Sequence, residues 1–245
     1  MTHDFDRQYW DDVWSGGEDD GRASAMTGSA PNPHLIREVS GLRPGSALEA
    51  GCGAGAEAIW LASQGWQVTA ADIAAEALER AAVRAAGTDA GDRISWVRAD
   101  LSTWEPGTRF DLVTTHYAHP AMPQLDFYER IADWVKPGGT LFIVGHLHRE
   151  DHGHGHGHGH GHGHGHGHGH GHGDGHNHSR SGGLGHEGES TPPAEASASG
   201  AAIAERLTAD RWVIATAEEG PREMRGPGGR AVTVHDVVVR ATRRS

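Results

Sequence analysis

The chain has 245 residues, with 33 acidic residues against 21 lysines and arginines and a formal net charge of -12. That balance disfavours a nonspecific binder of nucleic acid or of an anionic membrane at neutral pH, although the 21 histidines make it sensitive to acid. One cysteine, Cys52, excludes an intrachain disulfide, and no run approaches the roughly 18 apolar residues of a membrane span, so the expected setting is the cytoplasm.

The N-terminus, MTHDFDRQYWDDVW, is acidic and aromatic and reads as a short helix carrying Tyr9, Trp10 and Trp14, not as a signal peptide. A Gly/Asp/Ser loop without periodicity follows. HLIREVSGL is then a helix closed by Gly41, and RPG turns into a strand over Ala47–Ala50. The expected order continues with a helix over about Glu57–Gln64 capped by Gly65, a strand over Trp66–Ala71, and a helix over AAEALERAAVRAA stopped by Gly87. Strands are expected at Ile94–Arg98, Phe110–Thr115 and Thr140–Gly145, with a helix over about Leu125–Val135 before the last. Near the C-terminus, IAERLTA reads as a helix. RWVIATAEE and AVTVHDVVVRA read as strands joined closely enough, through GPREMRGPGG, to form a hairpin.

Alternating strands and helices imply right-handed crossovers onto a parallel sheet. The expected fold class is therefore α/β: a doubly wound, Rossmann-like sheet of seven strands, mostly parallel, with an antiparallel final strand. Three segments are expected: 1–148 as the N-terminal part of the domain with the cofactor site, 149–199 as a disordered His/Gly-rich insertion, and 200–245 as the C-terminal part of the same domain.

The central motif, Leu48-Glu49-Ala50-Gly51-Cys52-Gly53-Ala54-Gly55, lies where the first strand passes into a helix. Glycines there allow a tight turn and close approach of a ligand to the backbone. Spacing alone leaves two cofactors open, since Gly51, Gly53 and Ala56 also satisfy a dinucleotide fingerprint. Asp72, at the end of the second strand, is placed to accept from ribose hydroxyls in either case. Glu49 separates the two, because a carboxylate repels a pyrophosphate but attracts a sulfonium or an ammonium. Asp100 closes the third strand on the same edge.

The run ALEAGCGAGAEAIWLASQGWQVTAADIAAEALERA, with RISWVRADL, FDLVTTHYAH, WVKPGGTLFIVGH and VTVHDVVVRA in order, resembles the class I S-adenosylmethionine-dependent methyltransferases. The likeness is to their small-molecule members of the tellurite-resistance and thiopurine types, over residues 30–148 and 200–242. It implies an enzyme that moves a methyl group from S-adenosylmethionine to a small-molecule acceptor. It places Glu49, Gly51, Cys52, Gly53 and Gly55 along the methionine half of the cofactor. Asp72 and Ile73 then fall at the ribose, Asp100 and Leu101 at the adenine, and Thr115 and His116 at the methionyl side. Glu49 stands where aspartate is commoner. Cys52 is read as a packing residue.

No catalytic residue is assigned. His116, Tyr117 and His119 follow the fourth strand and His146 and His148 the fifth, where either group could supply a base or simply pack. The aromatic N-terminal segment could close over the cofactor or pack on the sheet's flank.

From His152 to Gly173 histidine and glycine alternate without exception, a composition that cannot support a core. His152, His154, His156, His158, His160, His162, His164, His166, His168, His170, His172, His176 and His178 are candidate non-catalytic ligands for zinc, nickel, copper or cobalt. The rival readings are a metal-buffering or metal-sensing protein on a methyltransferase-like scaffold and, further off, an NAD-dependent oxidoreductase.

Overall fold

The chain alternates strands, the central ones buried on both faces, with helices that bury one, and the computed structural model describes residues 5–15, 29–147, 196–225 and 231–245. The elements in order are α1 (Arg7–Ser15), α2 (Pro33–Val39), β1 (Ser46–Ala50), α3 (Ala56–Ser63), β2 (Gln67–Asp72), α4 (Ala75–Ala86) and β3 (Ile94–Arg98). There follow β4 (Phe110–His116), α5 (Gln124–Ala132), β5 (Val135–His146), α6 (Gly200–Arg206), β6 (Trp212–Arg225) and β7 (Ala231–Arg243). The described residues all belong to one compact unit, Met1–His148 with Pro192–Ser245.

The seven strands form one sheet in the order β3-β2-β1-β4-β5-β7-β6. All pairings from β3 to β5 are parallel, and β7 runs antiparallel to both β5 and β6. The order reverses between β1 and β4, and the carboxyl ends of strands at such a switch point are where sheets of this kind bind ligands. β1 is short and buried in four of its five residues because helices cover both its faces. On one side Leu35, Val39, Leu61 and Phe142 pack together, and on the other Phe127, Ile131, Leu141 and Ile203 do.

Several boundaries differ from the sequence reading, and β6 runs on through Gly220–Arg225, expected in the turn, because these residues pair with β7. α5 stops at Ala132, and Val135, expected to end it, begins β5 instead. The reason lies across the sheet: the Trp134 carbonyl accepts from Phe110 N–H (2.8 Å), so pairing starts there. The Pro137-Gly138-Gly139 stretch then lies within β5, where the register jumps from Phe110↔Val135 to Leu112↔Thr140 and Gly138 adopts φ +77°. A glycine in that conformation absorbs the extra residues as a bulge. Residues 196–199, expected inside the insertion, pack at the start of α6, where the Ser199 side chain caps the helix through Ala202 N–H.

Candidate functional site

The β1–α3 turn carries three glycines in the left-handed region, Gly51 at φ +82°, Gly53 at +48° and Gly55 at +78°. Space demands glycine at the two outer positions as strictly as the backbone does. A Cβ on Gly51 would lie 2.3 Å from Ala118 Cβ, and one on Gly55 2.7 Å from the Trp96 ring. The amides of Gly51 and Cys52 both donate to the Ala71 carbonyl, which ties the turn to the end of β2.

Asp72 accepts from Gly53 N–H (2.8 Å) and Ala74 N–H (3.0 Å), so one carboxylate braces the glycine turn and the entry to α4. Burial raises its pKa, and these amide bonds offset only part of the rise. Asp100 turns back to accept from the backbone and hydroxyl of Ser102, and Leu101 packs in the core with its Cδ1 4.0 Å from the Cβ position of Gly51. Ile73, partly exposed, accepts from Arg98 through its carbonyl. Gly51, Gly53, Asp72 and Leu101, distant in sequence, thus meet at one strand edge. Burial pushes the Cys52 thiol well up, with Asp72 and Glu49 adding to it, which leaves an inert packing group.

Glu49 and His116 point to the same face of the sheet, beneath α3, where the His116 Nδ1 lies 2.9 Å from Glu49 Oε1. Thr114 donates to the other Glu49 oxygen. Glu57, in the first turn of α3, accepts from Asn32 N–H, and burial raises its pKa. For His116 burial alone would lower the pKa, but the adjacent Glu49, with a contribution from Glu57, outweighs it and the net direction is up. The His116 Nε2 is buried and has no hydrogen-bond partner among the described residues. Thr115 faces the other way, donating to the Ala50 carbonyl (2.8 Å), so the side chains of Thr115 and His116 lie on opposite faces of the sheet.

α1 covers this edge. Trp14, 4% exposed, packs on Ala54, Ala74 and Ala77 and lies 3.3 Å from the Cβ position of Gly53, while the Trp10 indole donates to the His119 carbonyl (3.1 Å). The aromatic segment thus lies beside the glycine turn. Behind the loop after β4 lies a cluster that sequence reasoning missed. Tyr117, at φ +54°, donates to Asp236 (2.7 Å) and accepts from Arg222 (2.9 Å) and Asn32 (3.3 Å). Arg222 also donates to Asp236 (2.6 Å), and His34 lies 3.2 Å from the same carboxylate. Burial, and then the charge of Asp236, push the Tyr117 hydroxyl far above its usual range. One signal for this cluster was present: a lone acid inside the apolar strand VTVHDVVVR needs a partner. His148 and the His152–His178 tract lie outside the described residues.

Residues 47–139 match the family model of the methyltransferase domain. Over that stretch the chain is similar to class I methyltransferase domains. Over 139 residues the chain is 30% identical to a probable thiol methyltransferase of Arabidopsis thaliana, covering 54% of this chain and 58% of that protein. It is likewise 30% identical, over 138 residues, to a thiocyanate methyltransferase of Brassica oleracea, with the same coverage. The chain therefore spans under three fifths of the length of these relatives. Magnesium protoporphyrin IX methyltransferase from Synechocystis PCC 6803, solved with its methyl donor bound, superposes with TM-score 0.59 at 15% identity, covering 100% of this chain and 99% of that one, and so shares the fold.

S-adenosylmethionine is the molecule bound in that solved structure, and the residues at the strand edge of this chain fit it. The turn is a cradle that a Cβ would fill, carboxylates stand at the end of β2 and just after β3, and the buried Nε2 of His116 has no hydrogen-bond partner among the described residues. Among the described residues no helix is long and apolar enough to cross a membrane.

Proposed function

We propose that the protein is an S-adenosylmethionine-dependent methyltransferase acting in the cytoplasm on a small-molecule acceptor with a soft nucleophilic atom. The observation that carries this reading is the convergence of three left-handed glycines with Asp72 and Leu101 at the switch point of the sheet, under the tryptophans of α1. The thiol and thiocyanate methyltransferases among the relatives support the acceptor class.

In this reading the backbone of Gly51, Cys52, Gly53 and Gly55 follows the methionine half of the cofactor, with Glu49 and His116 at its charged end. Asp72 and Ile73 take the ribose, and Asp100 and Leu101 the adenine. Thr115 acts through the backbone, since its hydroxyl holds Ala50. When bound, the cofactor supplies an already activated methyl group, so the chain has mainly to align a nucleophile and exclude water. Trp10 and Trp14 do the second by closing the edge over the turn.

Calorimetric titration of the metal-stripped protein with S-adenosylmethionine and with NAD tests the reading. Saturable binding of the first alone is expected, weakened about tenfold or more in Asp72→Ala, which loses the ribose carboxylate and the brace on Gly53. Absence of binding in a folded sample would overturn it.

A further inference from the structure

Just after β4 the chain adopts a conformation that bulky side chains rarely take. Tyr117 has φ +54°, in the left-handed region where a Cβ is crowded. Its amide is committed to the sheet, donating to the Val144 carbonyl of β5 (2.9 Å), and the chain turns from there to Ala118. Ala118 packs directly on Gly51 and leaves no room for a Cβ at that glycine. What holds the tyrosine is its hydroxyl, which uses its full bonding capacity. It donates to Asp236 (2.7 Å) and accepts from Arg222 (2.9 Å) and Asn32 (3.3 Å). Burial and the charge of Asp236 keep that hydroxyl protonated, so it remains a donor. The ring lies stacked on His146, with centroids 4.5 Å apart. Asp236 stands in the last pair of β7 with β5, opposite His146, and Arg222 lies further out, where β6 pairs only with β7. Arg222 also donates to Asp236 (2.6 Å), so the two form one unit at the point where the hairpin runs past β5.

We infer that Tyr117 is a positioning residue for methyl transfer: the Arg222–Asp236 pair of the β6–β7 hairpin holds its hydroxyl, and the hydroxyl holds the left-handed turn that seats Ala118 on Gly51. This deepens the methyltransferase reading above and rests on it. The glycine turn has bonds of its own to Ala71 and Asp72, none of which involves Tyr117. In that reading the turn therefore still binds the cofactor when the latch is cut. What the latch sets is the wall on which the turn packs, and with it the alignment of donor and acceptor. A displacement of about 1 Å at reacting atoms is enough to cost roughly a hundredfold in rate. The hairpin thus acts on turnover more than on binding.

The test uses the full-length protein labelled with carbon-13 in its alanine methyl groups, a readout that needs no turnover. The resonance absent from Ala118→Ser identifies Ala118. Its nuclear Overhauser contact with the Gly51 α-protons is expected in the wild type, lost in Tyr117→Phe and kept in Tyr117→Asn. Asparagine enters the left-handed region readily, so that variant lacks the hydroxyl yet keeps the turn. Turnover is measured with whichever of thiophenol and thiocyanate is methylated faster, each variant being assayed well below its urea midpoint. Tyr117→Phe should lose about tenfold or more in kcat, with S-adenosylmethionine affinity nearly unchanged. Tyr117→Asn, although the larger chemical change, should lose less, whereas a residue that served only as packing would give the reverse order. Arg222→Met should lose roughly threefold alone and almost nothing more when added to Tyr117→Phe, because the arginine acts through the hydroxyl. An Ala118–Gly51 contact that survives Tyr117→Phe, a Tyr117→Asn variant slower than Tyr117→Phe, or additive losses in the double variant would each overturn the inference. Absence of S-adenosylmethionine binding in the wild type would instead overturn the reading beneath it, and the Ala118 contact would still decide whether the hydroxyl holds the turn.

Discussion

The two halves of the site are built by different means. The half proposed to hold the cofactor is largely one turn: Glu49 to Glu57 are contiguous, and its shape follows from glycine conformation and from amides that bond to β2. The half around His119 draws on Phe5, Trp10, Gln124 and His146, and behind it on Asn32, Arg222 and Asp236, which come from every part of the chain. Backbone geometry places the first and side-chain contacts place the second. The first should therefore fail by steric strain, and the second by loss of partners for buried polar groups.

The sharpest way to break the cofactor half is Gly51→Ala. Its Cβ meets Ala118 at 2.3 Å and forces a left-handed alanine. Overpacking and backbone strain together should cost about 4 kcal/mol in urea unfolding, with cofactor affinity lost as well. The corresponding break in the other half is Asp236→Ala, which leaves Arg222 and the Tyr117 hydroxyl without their shared acceptor. Removing one partner of a buried pair costs about 3 kcal/mol. Turnover should fall further than cofactor affinity, and single-turnover kinetics beside calorimetry separate the two. Equal losses of both would mean that the halves are not independent.

The smallest effect lies away from both, at the opposite end of the sheet. Asp111 is half-exposed, and burial would raise its pKa. The hydroxyl and amide of Ser46 and the Lys136 ammonium outweigh that and hold it at about 2. A carboxyl depressed in the folded state contributes stability that is complete above its unfolded pKa and lost as pH falls through the folded one. Asp111→Asn should therefore unfold slightly more easily than the wild type at pH 6, and the gap should close between about pH 4 and pH 2. Because solvent screens the pair, the shift in urea midpoint should be small, and no change in cofactor affinity is expected at any pH.

Most of the strand order along the chain was readable from residue patterns, and so was the glycine turn with its two acids. β3 at Ile94–Arg98 falls where expected because Ile94, Trp96 and Val97 are residues that favour strands. The β5 boundary was not readable, since Pro-Gly-Gly is a turn signal by itself and becomes a bulge only when β4 offers Phe110 as a partner. The distribution of side chains at the site was also partly hidden. Thr115 and His116 adjoin in sequence, yet strand alternation sends one to Ala50 and the other to Glu49.

What the amino-acid sequence by itself determined is whatever depends on neighbours within a few residues: the alternation of strand and helix, the left-handed glycines, and the acids that end β2 and β3. Only the tertiary structure decided which distant groups meet. The pairing of Asp236 with Arg222 and Tyr117, the contact of His116 Nδ1 with Glu49, and the amide of Gln124 against His119 all follow from sheet order and helix packing. The physical reason is that backbone conformation is a local free energy, whereas a buried polar group is stabilised only by a partner that the rest of the fold brings to it.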